Sequence, residues 1–420
     1  MPWKETRVSN ERMRFVVDWE FEEDSMAELC RQYGISRKTA YKWLSRWQGQ
    51  GPGGLEDRSR APRTHPNQVA AERVEKILQL RDRYRWGPKK ILVLLNREDP
   101  AVDWPAISTI EQILKDHGRI VPRKKRRRVP PQSQPLAHAT TANALWCVDF
   151  KGQFFTGDGA CCYPLTISDT HSRFLLRCQG LEQTGYEAVR PIFEWAFREY
   201  GLPQGIRSDN GAPFASRAVA GLSRLSLWWI KLGIVPERIE PGHPQQNGRH
   251  ERMHLTLKQQ TASPPASTFR KQQQRFDSFR QEFNHVRPHE ALGMNTPASL
   301  YEPSPRRYPA REPEVTYPAG WAVRKVGLNG DFCWKHQHVF LSEVLGGEPV
   351  GLEPVDGRYW RVYFGPVWLG AFDSHRRHML TAAQVRRQPQ LGSAEPEDRP
   401  SATLQDDPLE HKKVLPMCLA

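Results

Sequence analysis

The sequence predicts a multidomain chain, with all-α units first, an α/β centre next, and a small C-terminal β-barrel last. Three observations carry this. Residues 10–118 hold short apolar patterns of helical period, broken by Gly and Pro. Residues 144–300 alternate strand-like and helix-like segments, which suggests a mixed sheet flanked by helices. Residues 315–373 switch to short alternating runs, with hairpin signals at Asn329-Gly330 and Asp356-Gly357.

The composition allows this. At 420 residues the chain has room for two to four domains, and 38% apolar residues supply real cores. Thirty-five prolines and 30 glycines imply many boundaries. A net charge of +14 and a pI near 9.6 favour a polyanionic partner. Seven cysteines, none in a CxxC pair, fit reduced thiols in a cytoplasmic protein. No apolar run approaches the roughly 20 residues needed to cross a bilayer, and no apolar targeting segment is read at the N-terminal end, so no membrane is expected.

Residues 10–50 read as three helices. The second spans about Ser25 to Tyr33 and buries Met26, Leu29 and Cys30. Gly34-Ile35 turns the chain, and Ser36 can cap a third helix running to Gln48. Ala40, Trp43, Leu44 and Trp47 form its apolar face. Arg37, Lys38, Thr39, Tyr41, Lys42 and Ser45 leave a basic, hydrogen-bonding face that fits a DNA major groove, as a helix-turn-helix would. A linker follows at 51–67. A second helix-turn-helix is expected at 68–118: a helix from Val69 to Tyr84, a break at Trp86-Gly87-Pro88, a helix to Asn96, and a last helix burying Ile110, Ile113 and Leu114 behind a capping box, Ser108 to Glu111.

The linker 119–143 contains Arg123, Lys124, Lys125, Arg126, Arg127 and Arg128, adjacent like charges suited to tracking phosphates. In the centre, strands are expected near 145–150, 161–168, 172–178, 204–208 and 235–239, with helices near 186–200, 214–232, 246–260 and 266–293. Phe269, Phe276, Phe279 and Phe283 read as core. In the barrel, Val323, Val326, Trp334, Val339, Leu341, Val350, Leu352, Trp360, Val362, Phe364, Trp368 and Leu369 are expected inside. Residues 376–420 are polar and read as a disordered tail.

Three carboxylates stand out. Asp149 and Asp209 each end a short apolar run, and Glu251 sits where a loop becomes a helix. Two strand-end aspartates and a helix-borne glutamate can converge on two divalent cations, the arrangement that runs in-line phosphoryl transfer. Hard oxygen donors suit Mg²⁺ or Mn²⁺. Asn247, Arg249, Arg252 and Lys258 lie beside Glu251 and suit phosphate. His250-Glu251-Arg252-Met253-His254 is also an HExxH string, the zinc-metalloprotease signature, but no patterned third ligand follows it. Asp158 and Asp169 read as turn residues, the latter with a possible supporting role, and His243 and His250 as loop or surface residues.

Trp146-Cys147-Val148-Asp149, Arg207-Ser208-Asp209-Asn210-Gly211 and His243 to Arg252 resemble the three catalytic blocks of the integrase-core (DDE) transposases of bacterial insertion sequences, relatives of retroviral integrases. Arg287-Pro288-His289-Glu290-Ala291-Leu292 with Thr296-Pro297 resembles the segment closing that core. The resemblance implies an RNase H-like core at 144–300, Asp149, Asp209 and Glu251 as ligands of two Mg²⁺ or Mn²⁺ ions, and a transposase that cuts the ends of a mobile element and joins them to target DNA. The implied partners are double-stranded DNA, as terminal inverted repeats and target, and further copies of the chain in a homodimer or larger assembly. The implied location is the bacterial nucleoid. The forty-one residues between Asp209 and Glu251 exceed the retroviral spacing, and helix-turn-helix units replace a His/Cys zinc module. The alternatives are a catalytically silent DNA-binding regulator and, from the HExxH string, a zinc protease.

Overall fold

A computed structural model describes residues 8–21, 24–58, 68–120, 139–216, 218–239 and 248–391. Residues up to Ala71 form one compact unit and those from Glu72 another.

In the first unit, α1 (Val8–Glu20), α2 (Met26–Gln32) and α3 (Arg37–Gln50) pack around Phe15, Val16, Leu29, Ala40, Trp43 and Leu44. Ser25 and Ser36 cap α2 and α3, each accepting from the third backbone N–H beyond it. Gly34 takes φ +61°, the left-handed turn that a side chain would disfavour. Trp43 is buried beneath cations, with the Arg12 guanidinium 3.8 Å and Lys42 Nζ 4.2 Å from the ring centre.

The second unit opens with α4 (Ala71–Tyr84), α5 (Pro88–Glu98) and α6 (Ile107–Asp116), closed around Ile77, Leu80, Ile91, Leu95, Ile110 and Leu114. The expected capping box does not form. Helix α6 already begins at Ile107 with Ala106 as its N-cap, so Ser108 lies inside the first turn.

The central sheet runs β4 (Leu175–Leu181), β3 (Cys161–Asp169), β1 (Leu145–Phe150), β5 (Gly205–Ser208), β6 (Val235–Arg238). Strand β2 (Phe154–Phe155) continues β1's edge along β3. The β4–β3–β1 pairs are antiparallel, and β1–β5 and β5–β6 are parallel. This is the mixed sheet flanked by helices that the sequence implies. Side chains alternate across it. Trp146, Val148, Leu165, Ile167 and Ile206 pack under α7 (Tyr186–Tyr200) and α8 (Arg224–Lys231). Cys162, Leu175 and Cys178 meet α9 (Gly248–Thr261) and α10 (Phe269–Gln281) on the other face, through Met253, Leu257, Phe276, Phe279 and Phe283. Of the expected phenylalanines, Phe269 is only partly buried.

Two helices are shorter than the sequence implies. Ala220 sits at φ +51° and Ser223 builds a capping box with Ser226, so the stretch expected at 214–232 is helical in α8 only after this break. Helix α10 gives way to a π-turn, Glu282–Val286.

The C-terminal region is not a closed barrel. Strands β13 (His378–Met379), β12 (Val367–Asp373), β11 (Tyr359–Phe364), β10 (Pro349–Pro354) and β7 (Ala322–Lys325) form an open antiparallel sheet. Strands β8 (Asp331–Trp334) and β9 (Gln337–Phe340) make a separate hairpin, joined through the Val326–Phe332 bridge. Helix α8 fills this core instead of a closing strand: Leu227 and Ile230, with the preceding Leu222, pack among Val350, Leu352, Val362 and Phe364. Val323 points outward, 46% exposed, against expectation. The stretch expected to be disordered begins with ordered chain: β13 and α11 (Ala382–Arg386) lie within it, and Val385 and Leu391 are buried. No helix among the described residues is long and apolar enough to cross a membrane.

Candidate active site

The two aspartates are placed by one strand register. Strands β1 and β5 pair Leu145 with Gly205, Trp146 with Ile206 and Cys147 with Arg207. Carried on by two residues, that offset sets Asp209 level with Asp149. Neighbouring strands lie roughly 4.8 Å apart, so the two carboxylates share one face at the strand ends. Gly211 donates its N–H to Asp209 Oδ1 at 3.2 Å, and a Cβ there would sit 3.2 Å from Asp209 Oδ2. The Asn210 amide donates to the Ile239 carbonyl at 2.8 Å, which ties the ends of β5 and β6 together. Glu251 lies exposed in the first turn of α9, where the helix N-terminus favours negative charge.

Burial, then the Asp209 charge, with Glu251 adding, push the Asp149 carboxyl up to about 7. The three charges therefore act on one another. Among the described residues, no three His, Cys, Asp or Glu side chains stand close enough together to hold an ion as they are.

A hydroxyl links the Asp149 strand to the Glu251 helix. Thr166 of β3 stands opposite Asp149 and donates to its carbonyl at 3.1 Å. With that proton committed, its oxygen accepts from His250 Nε2 at 2.6 Å and His254 Nε2 at 2.7 Å. The His250 Nδ1 stands 3.3 Å from Ser168 Oγ, and His254 Nδ1 lies 3.8 Å from Asp149 Oδ2. Burial holds both imidazoles neutral, pushing His250 down to about 4 and His254 down to about 2. His250 is thus neither loop nor surface: it is 4% exposed. The HExxH pair is spent on Thr166, with the second nitrogen of His250 facing Ser168.

Other expected site residues fall as follows. Arg37, Lys38, Tyr41 and Lys42 are exposed on one face of α3. Thr39 is half-buried, its backbone N–H and hydroxyl both engaged with the Ser36 cap. Arg252 and Lys258 are exposed on α9. Arg123, Lys124, Lys125, Arg126, Arg127, Arg128, His243 and Asn247 lie outside the described residues, as does the side chain of Arg249. Asp158 closes the expected turn, accepting from the Ala160 N–H at 3.4 Å. Asp169 is more than a turn residue. It is 1% exposed and accepts from Asn143 N, Ser172 N and Ser172 Oγ at 2.6–2.8 Å.

Sequence reasoning missed Thr166, His254 as its partner, and Lys151. Lys151 follows Asp149 by two residues; burial, with Lys258 nearby, pulls its ammonium down, while the Asp149 charge opposes this.

Known sequence families match along the chain. A helix-turn-helix domain family matches residues 11–63 and a homeodomain-like family residues 39–114. Two integrase core domain families match residues 139–244 and 232–297. Residues 139–297 thus carry an integrase core domain, matched in two overlapping pieces. An uncharacterized 31.7 kDa protein of insertion element IS407 from Burkholderia multivorans is 25% identical over 238 residues, 56% of this chain and 82% of that one. A 39.2 kDa protein of insertion element IS476 from Xanthomonas euvesicatoria is 27% identical, over 51% of this chain and 60% of that one. The Gag-Pol polyprotein of baboon endogenous virus is 34% identical over 97 residues, 23% of this chain and 5% of that polyprotein. Among solved structures, the HTLV-2 integrase catalytic core domain in complex with magnesium covers 39% of this chain and 98% of its own, at 14% identity and a TM-score of 0.30. The integrase core with its helix-turn-helix domains thus has relatives among insertion-element proteins and retroviral polyproteins, and polynucleotidyl transfer is the family's kind of chemistry.

Proposed function

We propose that this integrase-core protein is a DNA transposase that cuts the ends of a mobile element and transfers the freed strands into target DNA. The observation that carries the reading is the parallel register of β1 and β5, which brings Asp149 and Asp209 level at the strand ends, with the Asp209 and Glu251 charges acting on the Asp149 carboxyl.

Asp149, Asp209 and Glu251 would hold two Mg²⁺ or Mn²⁺ ions. The donor set fits. All three donors are carboxylates, and the Asp149 carboxyl is raised by burial and then by charges of its own sign, which a cation relieves. Bound there, the ions would activate the attacking water or 3′-hydroxyl and stabilise the departing 3′-oxygen. The chain's own residues do the rest. Thr166 and the two histidines orient α9 toward β1. Lys151 and Lys258 place positive charge next to the carboxylates, where a scissile phosphate needs it. The exposed face of α3, with Arg37, Lys38, Tyr41 and Lys42, reads the element's ends, and Arg123 to Arg128 track their backbone. Two ends joined in one event call for a dimer or larger assembly on DNA.

The test uses labelled duplexes spanning both flanks of the gene, with Mg²⁺ or Mn²⁺ and then with chelator. Metal-dependent nicking and strand joining by the wild type, but not by Asp209→Asn, is the expected result. Sequence-specific binding with no cleavage by the wild type would sink the reading in favour of a silent regulator.

A further inference from the structure

A cavity lies beside the candidate active site, bordered along α9 by His250, Arg252, Met253 and Thr256. Its volume is about 230 Å³, below the roughly 300 Å³ at which pockets for whole small molecules begin. Its cations come from four places: Lys90 on α5, Arg173 after β3, Arg252 on α9, and Arg287 in the run that closes the core.

The lining is cationic. Lys90, Arg173, Arg252 and Arg287 all face it, against the carboxylates of Asp169 and Glu290. The Asp169 carboxylate is already occupied by three donors. Glu290 is exposed at the rim. Among the described residues nothing accepts from Arg287 Nη1, although that nitrogen is fully shielded from solvent. Its guanidinium lies 5.7 Å from the centre of the Trp86 ring. The cations strain one another. Burial, then the charge of Arg287, pull the Lys90 ammonium down to about 8; Glu290 opposes this, and Arg173 and Arg252 add to it. Burial and the charges of Lys90 and Arg287 pull His289 down to about 3. Lys90, Arg173 and Arg287 around a small cavity, with the exposed Arg252 beside them and one shielded guanidinium nitrogen without an acceptor, favour an anion there. Forked guanidinium donors match tetrahedral oxyanions best.

We propose that this cavity is a phosphate-binding site, separate from the carboxylate centre, formed jointly by the second helical module and the core. Its natural occupant is a backbone phosphate of a DNA strand passing α9. That occupant rests on the transposase reading; the phosphate chemistry of the cavity does not. Arg252 and Glu251 are consecutive on α9, so a phosphate held here fixes DNA one residue away from the cleavage site.

The test has two arms, both on the full chain without divalent metal. Calorimetric titration with inorganic phosphate should show one site in the wild type, weakened at least tenfold in Lys90→Gln and in Arg287→Gln and retained in Lys90→Arg. Binding to a random-sequence duplex is then measured across salt concentrations. The logarithmic salt slope should fall by about 0.9 in Lys90→Gln, the change for one lost phosphate contact. Phosphate binding lost in the variants with an unchanged DNA slope supports the site and makes a free phosphate its occupant. Phosphate affinity and slope both unchanged in folded Lys90→Gln overturn the proposal. A wild type that binds phosphate but no DNA removes the transposase reading and leaves the site standing.

Discussion

At the scale of single residues, Thr166 does the most with the least. One hydroxyl donates to the Asp149 carbonyl and accepts from two histidines. Thr166→Val strands two imidazole N–H groups in a dry site, so it should destabilise the protein by about 2 kcal/mol or more. Thr166→Ser should recover most of this. Urea unfolding midpoints test the stability, and metal-dependent cleavage should follow the same order if the hydroxyl positions Glu251. The triad variants should behave differently. Asp149→Asn and Glu251→Gln should lose cleavage without losing duplex binding, read in parallel gels. Asp149 also predicts a pH effect. Its folded carboxyl titrates near 7, above its ordinary value of 3.8. In the metal-free protein its protonated form therefore adds stability that is full below about pH 4 and lost as pH rises through about 7. Divalent metal should displace that proton. Calorimetry in buffers of different ionisation enthalpy should find proton release on Mg²⁺ binding at pH 6.5 and little at pH 8.5. Equal release at both would show that Asp149 is not a ligand. Asp149, Asp209 and Glu251 were readable because each sits at the end of a local pattern. Thr166 was not, because its partners lie 84 and 88 positions away.

Among the elements, strands were legible where both faces are covered. Leu145 to Val148 are all buried, and the sequence there is a continuous apolar run. Breaks were harder to read. The interval 214–232 is largely apolar, but Ala220 in a left-handed conformation and the Ser223 cap interrupt it. The π-turn after α10 was invisible for a similar reason, since Phe279 and Phe283 keep helical spacing through it. That turn has a use. It aims Asn284, 1% exposed, at β4, where its amide accepts from Leu175 N at 2.8 Å and donates to Leu175 O at 2.9 Å. Asn284→Ala should therefore cost about 2 kcal/mol or more, by leaving a buried donor and acceptor unmet. Thermal unfolding measures it, and a change under about 0.5 kcal/mol, the size of an ordinary surface substitution, would show that water replaces the amide. Gly201 is a second such point. At φ +76° it passes within 2.5 Å, measured from a Cβ it lacks, of the Ser304 carbonyl. Gly201→Ala should destabilise by about 1–3 kcal/mol through that backbone alone.

Across the whole molecule, the second unit joins three things that the sequence presents as separate. Helices α4–α6 meet the core through Val286, and through Arg97, which donates to the Met294 carbonyl at 2.7 Å. The open C-terminal sheet meets it through α8. The expected barrel failed because alternation within each strand reveals an apolar face without revealing what covers it. Helix α8 carries apolar residues on nearly every side, the mark of an element buried all round. Leu225, Trp228 and Trp229 serve one core, and Leu227 and Ile230 the other.

That helix lies within the forty-one residues between Asp209 and Glu251. A gene truncated after the core would still encode Asp149, Asp209 and Glu251, yet its product would carry a greasy stripe facing water along α8. Such a fragment should aggregate instead of acting as a dominant inhibitor. Decay of this gene from its 3′ end should therefore silence it cleanly, without leaving behind a poison for intact copies.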